Sequence, residues 1–318
     1  MNKPGIVFMG TPRFAVPSLE ILVENGYPVK AVVTATDKPS GRGLRINEPA
    51  VKTAAVARGI PVLQPVNLKD EAFAEKLREL SADIFVVVAF RVLPEKIWTI
   101  PPLGTVNLHA SLLPLYRGAA PINHAIINGE KITGVTTFLI EKKVDTGRIL
   151  MQEKTEIKDN DTAGSLHDRL MVTGAGLLLR TVDALAEGRI EPVAQEKISD
   201  EQDLPRAPKI SKNSCRINWN MPAEGIYNFI RGLSPYPGAW TLLHSGNRIT
   251  GLKIFEAEKT EDNPMTDPGK IAVLKDKLLV GTADGSICLK KVQAEGKKVI
   301  EASEFIKGYR LDPGAYCT

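Results

Sequence analysis

Residues 105–118 read T-V-N-L-H-A-S-L-L-P-L-Y-R-G, a short strand-like run that ends in a proline-containing turn. Alternate side chains of a strand share one face, so we expect Asn107 and His109 on the same face, with Leu108 opposite them. A buried polar group that lacks a partner costs roughly 2–7 kcal/mol. The pair therefore predicts either a structural hydrogen-bond network or chemistry at the end of this strand.

The segments before this strand predict a parallel sheet. A strand–helix–strand pattern opens the chain over residues 5–34, and residues 84–90 (I-F-V-V-V-A-F) are apolar throughout, which is typical of a central parallel strand covered on both faces. This order indicates an α/β fold, a Rossmann-like open and mostly parallel sheet. Because ligands of such sheets bind beyond the carboxyl ends of the strands, residues 90–94 and 109–114 are expected to line one crevice.

The C-terminal third of the chain has a different pattern. Its short strand-like runs, separated by turn signals, predict a small β-barrel or sandwich. These runs are residues 241–243, 251–257, 270–273, 278–281 and 287–292, and one helix at 223–233 precedes them. A polar, proline-interrupted stretch lies before them. We therefore expect a first domain over residues 1–189, a linker over 190–208 and a second domain over 209–318.

Composition narrows the class of protein. The chain has 318 residues, 43% of them hydrophobic, and a net charge of +4, which suits a two-domain globular protein with an ordinary core. Cys215, Cys288 and Cys317 are far apart and form no Cys-x-x-Cys pair, so a reducing compartment without a structural zinc is expected. No stretch approaches the ~18 apolar residues of a membrane helix. We expect a cytoplasmic protein.

Two basic segments allow two interpretations each. Residues 37–45 (D-K-P-S-G-R-G-L-R) carry Lys38, Arg42 and Arg45, and form either a solvated loop or an arm that contacts phosphates. Residues 206–253 contain seven lysines and arginines against the single acid Glu224, with aromatic residues between them. This second segment is either a barrel with a basic face or a nucleic-acid surface.

Asn107, His109 and Asp145 form the candidate catalytic set. Asp145 lies in the loop after a neighbouring strand, and we expect all three at the carboxyl edge of one parallel sheet. Each also has a structural explanation, since Asn107 can bond to backbone, His109 can be a satisfied core histidine, and an aspartate before Thr-Gly suits a β-turn. Together they suit acyl transfer to an amine. Asn107 and a cationic His109 would stabilise the oxyanion, and Asp145 would hold the imidazolium and accept the amine proton.

No serine or cysteine nucleophile accompanies this set. The chain has no G-x-S-x-G motif, and Cys215 and Cys317 belong to the predicted second domain. A direct transfer without a covalent enzyme intermediate is therefore the simpler hypothesis.

Several motifs of the chain resemble those of one family, the folate-dependent formyltransferases. They are N-L-H-A-S-L-L-P-L-Y-R-G-A-A-P-I (107–122), F-M-G-T-P-R-F-A-V-P (8–17), D-K-P-S-G-R-G (37–43), V-D-T-G (144–147) and R-G-L-S-P-Y-P-G-A-W (231–240). The resemblance covers essentially the whole chain. The basic segment and the two-domain length are similar to those of the branch of the family that acts on tRNA.

The resemblance implies a function and a set of residues. It implies formyl transfer from 10-formyltetrahydrofolate, as co-substrate and without a metal, to the amino group of methionyl-initiator tRNA, by a monomeric enzyme with an OB-like C-terminal barrel. The implied catalytic residues are Asn107, His109 and Asp145. The implied folate contacts are Ser111, Leu112, Leu113, Pro114, Phe90 and Val92, and the implied tRNA contacts are Lys38, Arg42, Arg45, Lys209 and Lys212.

The chain departs from the family pattern at two places. Phe90-Arg91 stands where the family commonly has Tyr-Gly, which puts the packing of the pterin in question. The segment around Asp145 reads E-K-K-V-D-T-G rather than the commoner G-L-D-T-G form, which puts the position of the Asp145 loop in question. Neither departure removes a residue of the catalytic set.

Three other functions compete. The acceptor could be an amino-sugar nucleotide or a purine-pathway ribonucleotide, although the second domain and the basic segment at 37–45 favour tRNA. A protein that only binds RNA would have no use for Asn107, His109 and Asp145. A nicotinamide dehydrogenase is disfavoured because the first strand ends at Gly10 without the second and third glycines of G-x-G-x-x-G.

Overall fold

The computed structural model describes residues 3–40, 45–197, 204–260 and 267–318. The first part of the chain contains β1 (Ile6–Gly10), α1 (Val16–Glu24), β2 (Val29–Val33), β3 (Lys38–Ser40), β4 (Arg45–Asn47), α2 (Ala50–Val56), β5 (Val62–Leu63), α3 (Glu71–Glu79), β6 (Ile84–Val88), α4 (Glu95–Trp98), β7 (Thr105–His109), β8 (Arg117–Gly118), α5 (Pro121–Ile127), β9 (Ile132–Leu139), β10 (Ile149–Glu156) and α6 (Ala163–Ala186). The remainder contains β11 (Arg206–Ala207), α7 (Ala223–Gly232), β12 (Ala239–Ser245), β13 (Arg248–Thr260), β14 (Ile271–Leu274), β15 (Lys277–Gly281), β16 (Ser286–Ala294), β17 (Ile300–Glu301), α8 (Ala302–Gly308) and β18 (Tyr316–Cys317).

These elements form two compact units whose segments alternate along the chain. The first unit consists of residues 1–118, 132–156 and 167–206, and the second of residues 119–131, 157–166 and 207–318. The expected domains were contiguous in sequence. Instead, residues 119–131 and 157–166 belong to the second unit, where α5 packs with α7. There the Asn123 amide donates to the carbonyl of Gly232 (2.7 Å), and a Cβ at Gly232 would lie 2.6 Å from Ile127 Cγ1. This close approach explains why α5 joins the second unit.

The first unit is built on a seven-stranded sheet with the order β10-β9-β7-β6-β1-β2-β5. The strands from β7 to β5 are parallel, while β9 is antiparallel to β7 and β10 is antiparallel to β9. β1 and β6 are buried along their whole length, as their apolar sequences predict. The prediction of an open, mostly parallel α/β sheet is confirmed.

The register of β6 and β7 sets which face each side chain of β7 occupies. Asn107 pairs with Val87 and Leu108 with Val88. Val87 belongs to the buried cluster that α3 covers with Phe73, so Asn107 lies on the α3 side of the sheet. Leu108 points to the opposite face.

α6 is the longest helix and covers that opposite face. It begins at a capping motif, in which the Thr162 hydroxyl accepts a hydrogen bond from the Ser165 N–H (3.1 Å). Farther along, Gly174 lies against Leu108, and a Cβ there would be 2.8 Å from Leu108 Cδ2. Of the helices that the structure describes, none has the length and apolar character needed to cross a membrane.

The second unit is built on an antiparallel sheet with the order β14-β15-β16-β13-β12-β18. Backbone hydrogen bonds from Ile271 to Ala315 (3.1 Å) and from Cys317 to Gly269 (2.7 Å) join its two ends, so the barrel is nearly closed. The core of the barrel includes Ile226 and Ile230 of α7. The expectation of a small, OB-like barrel is confirmed, but α8 and β18 were not predicted, because such short elements with few buried residues leave little periodic signal.

Candidate active site

His109 is held at the end of β7 by its neighbours in the chain. Its side chain is buried, 7% exposed, and Nε2 lies 3.0 Å from the carbonyl oxygen of Tyr116. Because a carbonyl only accepts hydrogen bonds, Nε2 carries the proton of this bond. The other ring nitrogen, Nδ1, lies 4.0 Å from Oδ2 of Asp145. The imidazole therefore sits between two acceptors.

Asn107 lies on the same face of β7, about 7 Å from His109 along the strand. It is half-buried, and its side chain forms no hydrogen bond with any residue of the described ranges. Its amide can therefore donate to a bound molecule. Of the two polar residues on this face, His109 thus has a hydrogen-bond partner, whereas the side chain of Asn107 has none within the described part of the chain.

Asp145 reaches His109 by a route that the sequence did not predict. β9 is antiparallel to β7, so the loop after β9 opens beside the start of β7, where Ile140 donates to the carbonyl of Thr105 (2.8 Å). The loop then folds back along the strand by about 13 Å, the rise from residue 105 to residue 109. The expected reason for the meeting, a shared carboxyl edge of parallel strands, is wrong for Asp145.

Two residues with positive φ shape the surroundings of His109. Asp145 has φ +56° and Tyr116 has φ +59°, and a non-glycine residue in this region costs on the order of 1–2 kcal/mol. The Asp145 carboxylate accepts a hydrogen bond from the Gly118 N–H (2.9 Å), next to the segment that holds His109. Hydrogen bonds thus compensate the backbone strain at both positions.

Gln195 is a part of the site that sequence analysis missed. Its amide donates to the carbonyls of Asp145 (3.0 Å) and Gly147 (2.8 Å), and its Oε1 accepts from Arg117 at 3.0 and 2.7 Å. The side chain is 1% exposed. It lies in the stretch predicted to be a linker, which has no periodicity that could have marked it.

The expected folate-binding turn is tied to the sheet. Ser111 donates to the carbonyl of Leu115 (2.7 Å), and Thr136 Oγ1 donates to the carbonyl of Ser111 (2.6 Å). Leu113 is 1% exposed and packs in a small cluster with Phe138. Pro114 is also buried, and Leu112 is half-buried. Any contact of this turn with a ligand therefore uses its backbone groups or Leu112.

The other expected folate contacts lie in the loop after β6. Phe90 is half-buried against the cluster that α3 covers, whereas Val92 is 73% exposed. The Arg91 guanidinium lies 5.3 Å from the centroid of the Phe90 ring and donates to the carbonyls of Pro65 (2.8 Å) and Val66 (3.2 Å). Arg91, where the chain departs from the family pattern, thus ties this loop to the chain after β5.

The basic segment near residue 40 is partly described. β3 and β4 pair as an antiparallel ribbon where a loop was expected, because two three-residue runs, one with a proline, are too short to read as strands. Lys38 is exposed, while Arg42 and the side chain of Arg45 lie outside the described residues. At the base of the ribbon, the hydrogen bond from Lys52 (2.5 Å) holds the pKa of Asp37 below its usual range.

Lys209 and Lys212 are exposed residues of the second unit. Within the described part of the chain neither forms an ion pair, so both charges face solvent. Nearby, the Arg216 guanidinium lies 5.6 Å from the ring centroid of Trp240, whose Nε1 donates to the carbonyl of Lys212 (2.7 Å). Cations and an aromatic ring thus occur together at this edge of the barrel.

Comparisons with known proteins identify the class. The formyl transferase family model matches residues 5–182, and the model of the formyl transferase C-terminal domain matches residues 209–310. The chain belongs to the formyl transferase family. The resemblance drawn from the motifs is confirmed.

Particular relatives narrow the class further. The methionyl-tRNA formyltransferase of Parabacteroides distasonis is 51% identical over 310 residues, which cover 96% of this chain and 95% of the relative. That of Bacteroides thetaiotaomicron is 48% identical over 312 residues, 97% of each chain. Among solved structures, the N-formyltransferase from Helicobacter canadensis in complex with folinic acid and dTDP-3-aminofucose has a TM-score of 0.65 and 21% identity, covering 89% of this chain and 98% of that one. The similarity to this solved structure supports the fold described for this chain.

Proposed function

We propose that this chain transfers the formyl group of 10-formyltetrahydrofolate to the amino group of methionyl-initiator tRNA, for translation initiation in the cytoplasm. The observation that carries the proposal is the 48–51% identity, over nearly the full length and through both family models, to relatives named methionyl-tRNA formyltransferase. In sequence order we propose a catalytic domain over 1–189, a linker over 190–208 and a tRNA-binding domain over 209–318, which the family-model matches at 5–182 and 209–310 support, with residues 119–131 and 157–166 packed in the second unit.

Asn107 and His109 are proposed to stabilise the oxyanion. When the amine attacks the formyl carbon, the carbonyl oxygen becomes negatively charged. The Asn107 amide, which has no partner in the described ranges, donates to this oxygen. In the protonated ring of His109, Nδ1–H faces Asp145 across 4.0 Å, which is too long for a hydrogen bond. That proton can therefore be donated to the oxyanion.

Asp145 is proposed to stabilise the imidazolium of His109 and to act as the general base. Its carboxylate faces the imidazolium and accepts the proton that the attacking amine loses, directly or through a water. The bond between the formyl carbon and N10 of the folate then breaks as N10 takes the proton that Asp145 accepted, and the new amide bond remains. No covalent bond to the protein forms in this scheme.

The donor is proposed to lie between the two strand-end segments of the first unit. Ser111, Leu112, Leu113 and Pro114 contribute a turn that hydrogen bonds with Leu115 and with Thr136 of β9 hold in place, and Phe90 and Val92 contribute apolar surface. The rigid turn and the half-buried ring support the proposal, since pterin sites need apolar walls with a few fixed polar groups.

The tRNA contacts are proposed to be Lys38, Arg42, Arg45, Lys209 and Lys212. The described side chains among them are exposed and have no acidic partner in the described residues, which suits phosphate binding. Contacts of this kind position the acceptor stem without reading its sequence.

A formyl-transfer assay that compares initiator with elongator methionyl-tRNA tests the function. We expect folate-dependent formylation of initiator methionyl-tRNA, and a much lower rate with the elongator. Amino-sugar nucleotides and purine-pathway ribonucleotides serve as alternative acceptors in parallel reactions. Efficient formylation of one of these, with no reaction of methionyl-tRNA, would overturn the proposal. Binding of tRNA without formylation would indicate a protein that only binds RNA.

Arg42→Ala tests the role of the basic segment. We expect the KM for tRNA to rise roughly 5- to 100-fold, because a cation that contacts nucleic acid is lost, while the KM for the folate donor changes little. Arg58→Ala is the matched control, since Arg58 is a surface cation paired with Glu20 (2.8 Å). An equal rise of the KM for tRNA and the KM for the folate donor in the Arg42 variant would mean that the segment shapes the folate pocket instead.

A further inference from the structure

We propose that Gln195 is a positioning residue for Asp145, so that the stretch between the two family-model matches supports the active site as well as connecting the domains. Neither family model covers residues 183–208. The inference rests on the proposed function, because Asp145 is catalytic only in that scheme.

Gln195 contacts the Asp145 loop at two successive points. Both hydrogen bonds of its amide go to backbone carbonyls, one of Asp145 itself (3.0 Å) and one of Gly147 (2.8 Å). These carbonyls lie on either side of Thr146, so the amide fixes the loop where Asp145 takes its positive φ of +56°. The side chain is buried, 1% exposed, so its loss would leave two buried carbonyls without this donor.

The other end of Gln195 reaches the segment that holds His109. Oε1 accepts from Nε (3.0 Å) and from a terminal nitrogen (2.7 Å) of Arg117, which adjoins Tyr116. The Tyr116 carbonyl contacts His109, and the Gly118 N–H donates to the Asp145 carboxylate. One side chain therefore links the two chain segments whose separation sets the 4.0 Å distance between His109 and Asp145.

The backbone around Gln195 is itself fixed. Val193 forms an isolated antiparallel bridge with Ile149, with hydrogen bonds of 2.8 and 2.9 Å, just after the Asp145 loop. Farther along the same stretch, the Pro205 carbonyl accepts a hydrogen bond from the N–H of Tyr116 (2.7 Å). Residues of this stretch thus support both the Asp145 loop and the residue that bonds to His109.

The expected effect is on geometry rather than on substrate binding. The side chain of Gln195 is 1% exposed, and its amide group bonds to Asp145, Gly147 and Arg117, so we expect it to act through the Asp145 loop. A displacement of a catalytic group by about 1 Å can cost roughly 100-fold in rate. We therefore expect the loss of Gln195 to lower kcat roughly 10- to 100-fold, with little change in either KM.

Two substitutions separate the two ends of the side chain. Gln195→Met removes the donor and the acceptor at similar volume. Gln195→Glu keeps an acceptor for Arg117 but sets a carboxylate oxygen against the carbonyls of Asp145 and Gly147. Gln293→Met is the matched control, because the amide of Gln293 donates to the Lys297 carbonyl (2.8 Å) in the second unit.

Two readouts are measured on the full chain, with the melting temperature as a test of folding. The first is kcat and KM for formylation of initiator methionyl-tRNA. The second is hydrogen exchange followed by mass spectrometry, which needs no activity. We expect both Gln195 variants to exchange faster over residues 140–148 and at Gly118, with unchanged protection of β6, and the Gln293 variant to match the unsubstituted chain in both readouts.

Three outcomes would overturn the inference. Turnover within twofold of the unsubstituted chain, or unchanged exchange over residues 140–148, would overturn it. A general loss of protection and of melting temperature in both variants would show a structural role instead, and would overturn it as well. If the unsubstituted chain fails to formylate methionyl-tRNA, the proposed function fails, while the exchange data still decide whether Gln195 fixes the loop.

Discussion

The backbone angles of single residues set the candidate active site. Ala89, Tyr116 and Asp145 have φ of +48°, +59° and +56°, and all three lie in the connections that surround the end of β7 or of its neighbour β6. A non-glycine residue with a positive φ costs on the order of 1–2 kcal/mol, so other interactions must offset this conformational energy. At Tyr116 and Asp145 these are the hydrogen bonds with His109 and Gly118. Hydrogen bonds thus hold these two residues in backbone conformations that non-glycine residues disfavour.

His109→Ala is the most direct residue-level prediction. Removing the imidazole takes away one oxyanion donor, and we expect kcat to fall roughly 10²- to 10³-fold. The hydrogen bond between His109 and the Tyr116 carbonyl is also lost, which should lower the free energy of unfolding by about 1–3 kcal/mol. Steady-state formylation and urea unfolding measure the two effects.

The control for this variant is His244→Ala. His244 is a histidine of the second unit that bonds the Thr318 hydroxyl (3.0 Å) and stacks on Tyr316, outside the proposed chemistry. Its turnover should match that of the unsubstituted chain. A His109 variant with an unchanged rate would exclude the imidazole from the mechanism.

At the level of elements, α6 and β7 are fitted to each other through Gly174. Gly174 and Gly176 both weaken the helix pattern of the sequence, but only one has a packing role. A Cβ at Gly174 would meet Leu108 Cδ2 at 2.8 Å, whereas at Gly176 the nearest atom is a terminal nitrogen of Arg180 at 3.8 Å. Leu108 lies between Asn107 and His109, so the fit of α6 also sets the position of both polar residues.

Alanine substitutions at the two glycines should have opposite effects. Gly174→Ala crowds Leu108, and we expect it to lower the free energy of unfolding by about 1–3 kcal/mol and to reduce turnover as β7 shifts. Gly176→Ala gains helix propensity without a clash, and should raise the free energy of unfolding by about 0.5–1 kcal/mol at unchanged turnover. Urea unfolding and steady-state kinetics measure both. Equal effects at the two positions would contradict the packing argument.

At the scale of the whole molecule, buried thiols link stability to pH. Burial raises the pKa of the Cys317 thiol to about 12, and burial also raises the pKa of Cys215 and of Cys288. The unfolded Cys317 thiol ionises near its ordinary value of 9.0. Above that pH the unfolded chain loses a proton that the folded chain keeps, so the free energy of unfolding falls as the pH rises from 9 toward 12.

Cys317→Ser tests this linkage, because serine does not titrate in this range. Urea midpoints are measured at pH 8, 9 and 10 for both chains. The unsubstituted chain should lose stability more steeply above pH 9, by up to about 1.4 kcal/mol per pH unit from this thiol. Parallel curves for the two chains would mean that Cys317 ionises alike in the folded and unfolded states.

The sequence by itself determined the elements with strong local patterns. Three predictions were confirmed: the apolar strand at 84–90, which the structure ends at Val88, the alternation that puts Asn107 and His109 on one face, and the turn-rich strands of the C-terminal third. Each depends on the period of side chains along a single element, which can be read without knowing the neighbours. The motif around His109 was enough to indicate the family.

Only the tertiary structure decided how the candidate site is assembled. The return of the Asp145 loop along β7, the hydrogen bonds of Gln195, and the fit of Gly174 to Leu108 all join residues far apart in the chain. β9 pairs antiparallel with β7, and no local pattern of its own residues encodes that direction. Periodicity reports which side of an element is buried, whereas contacts between elements depend on packing and hydrogen bonding across the whole unit.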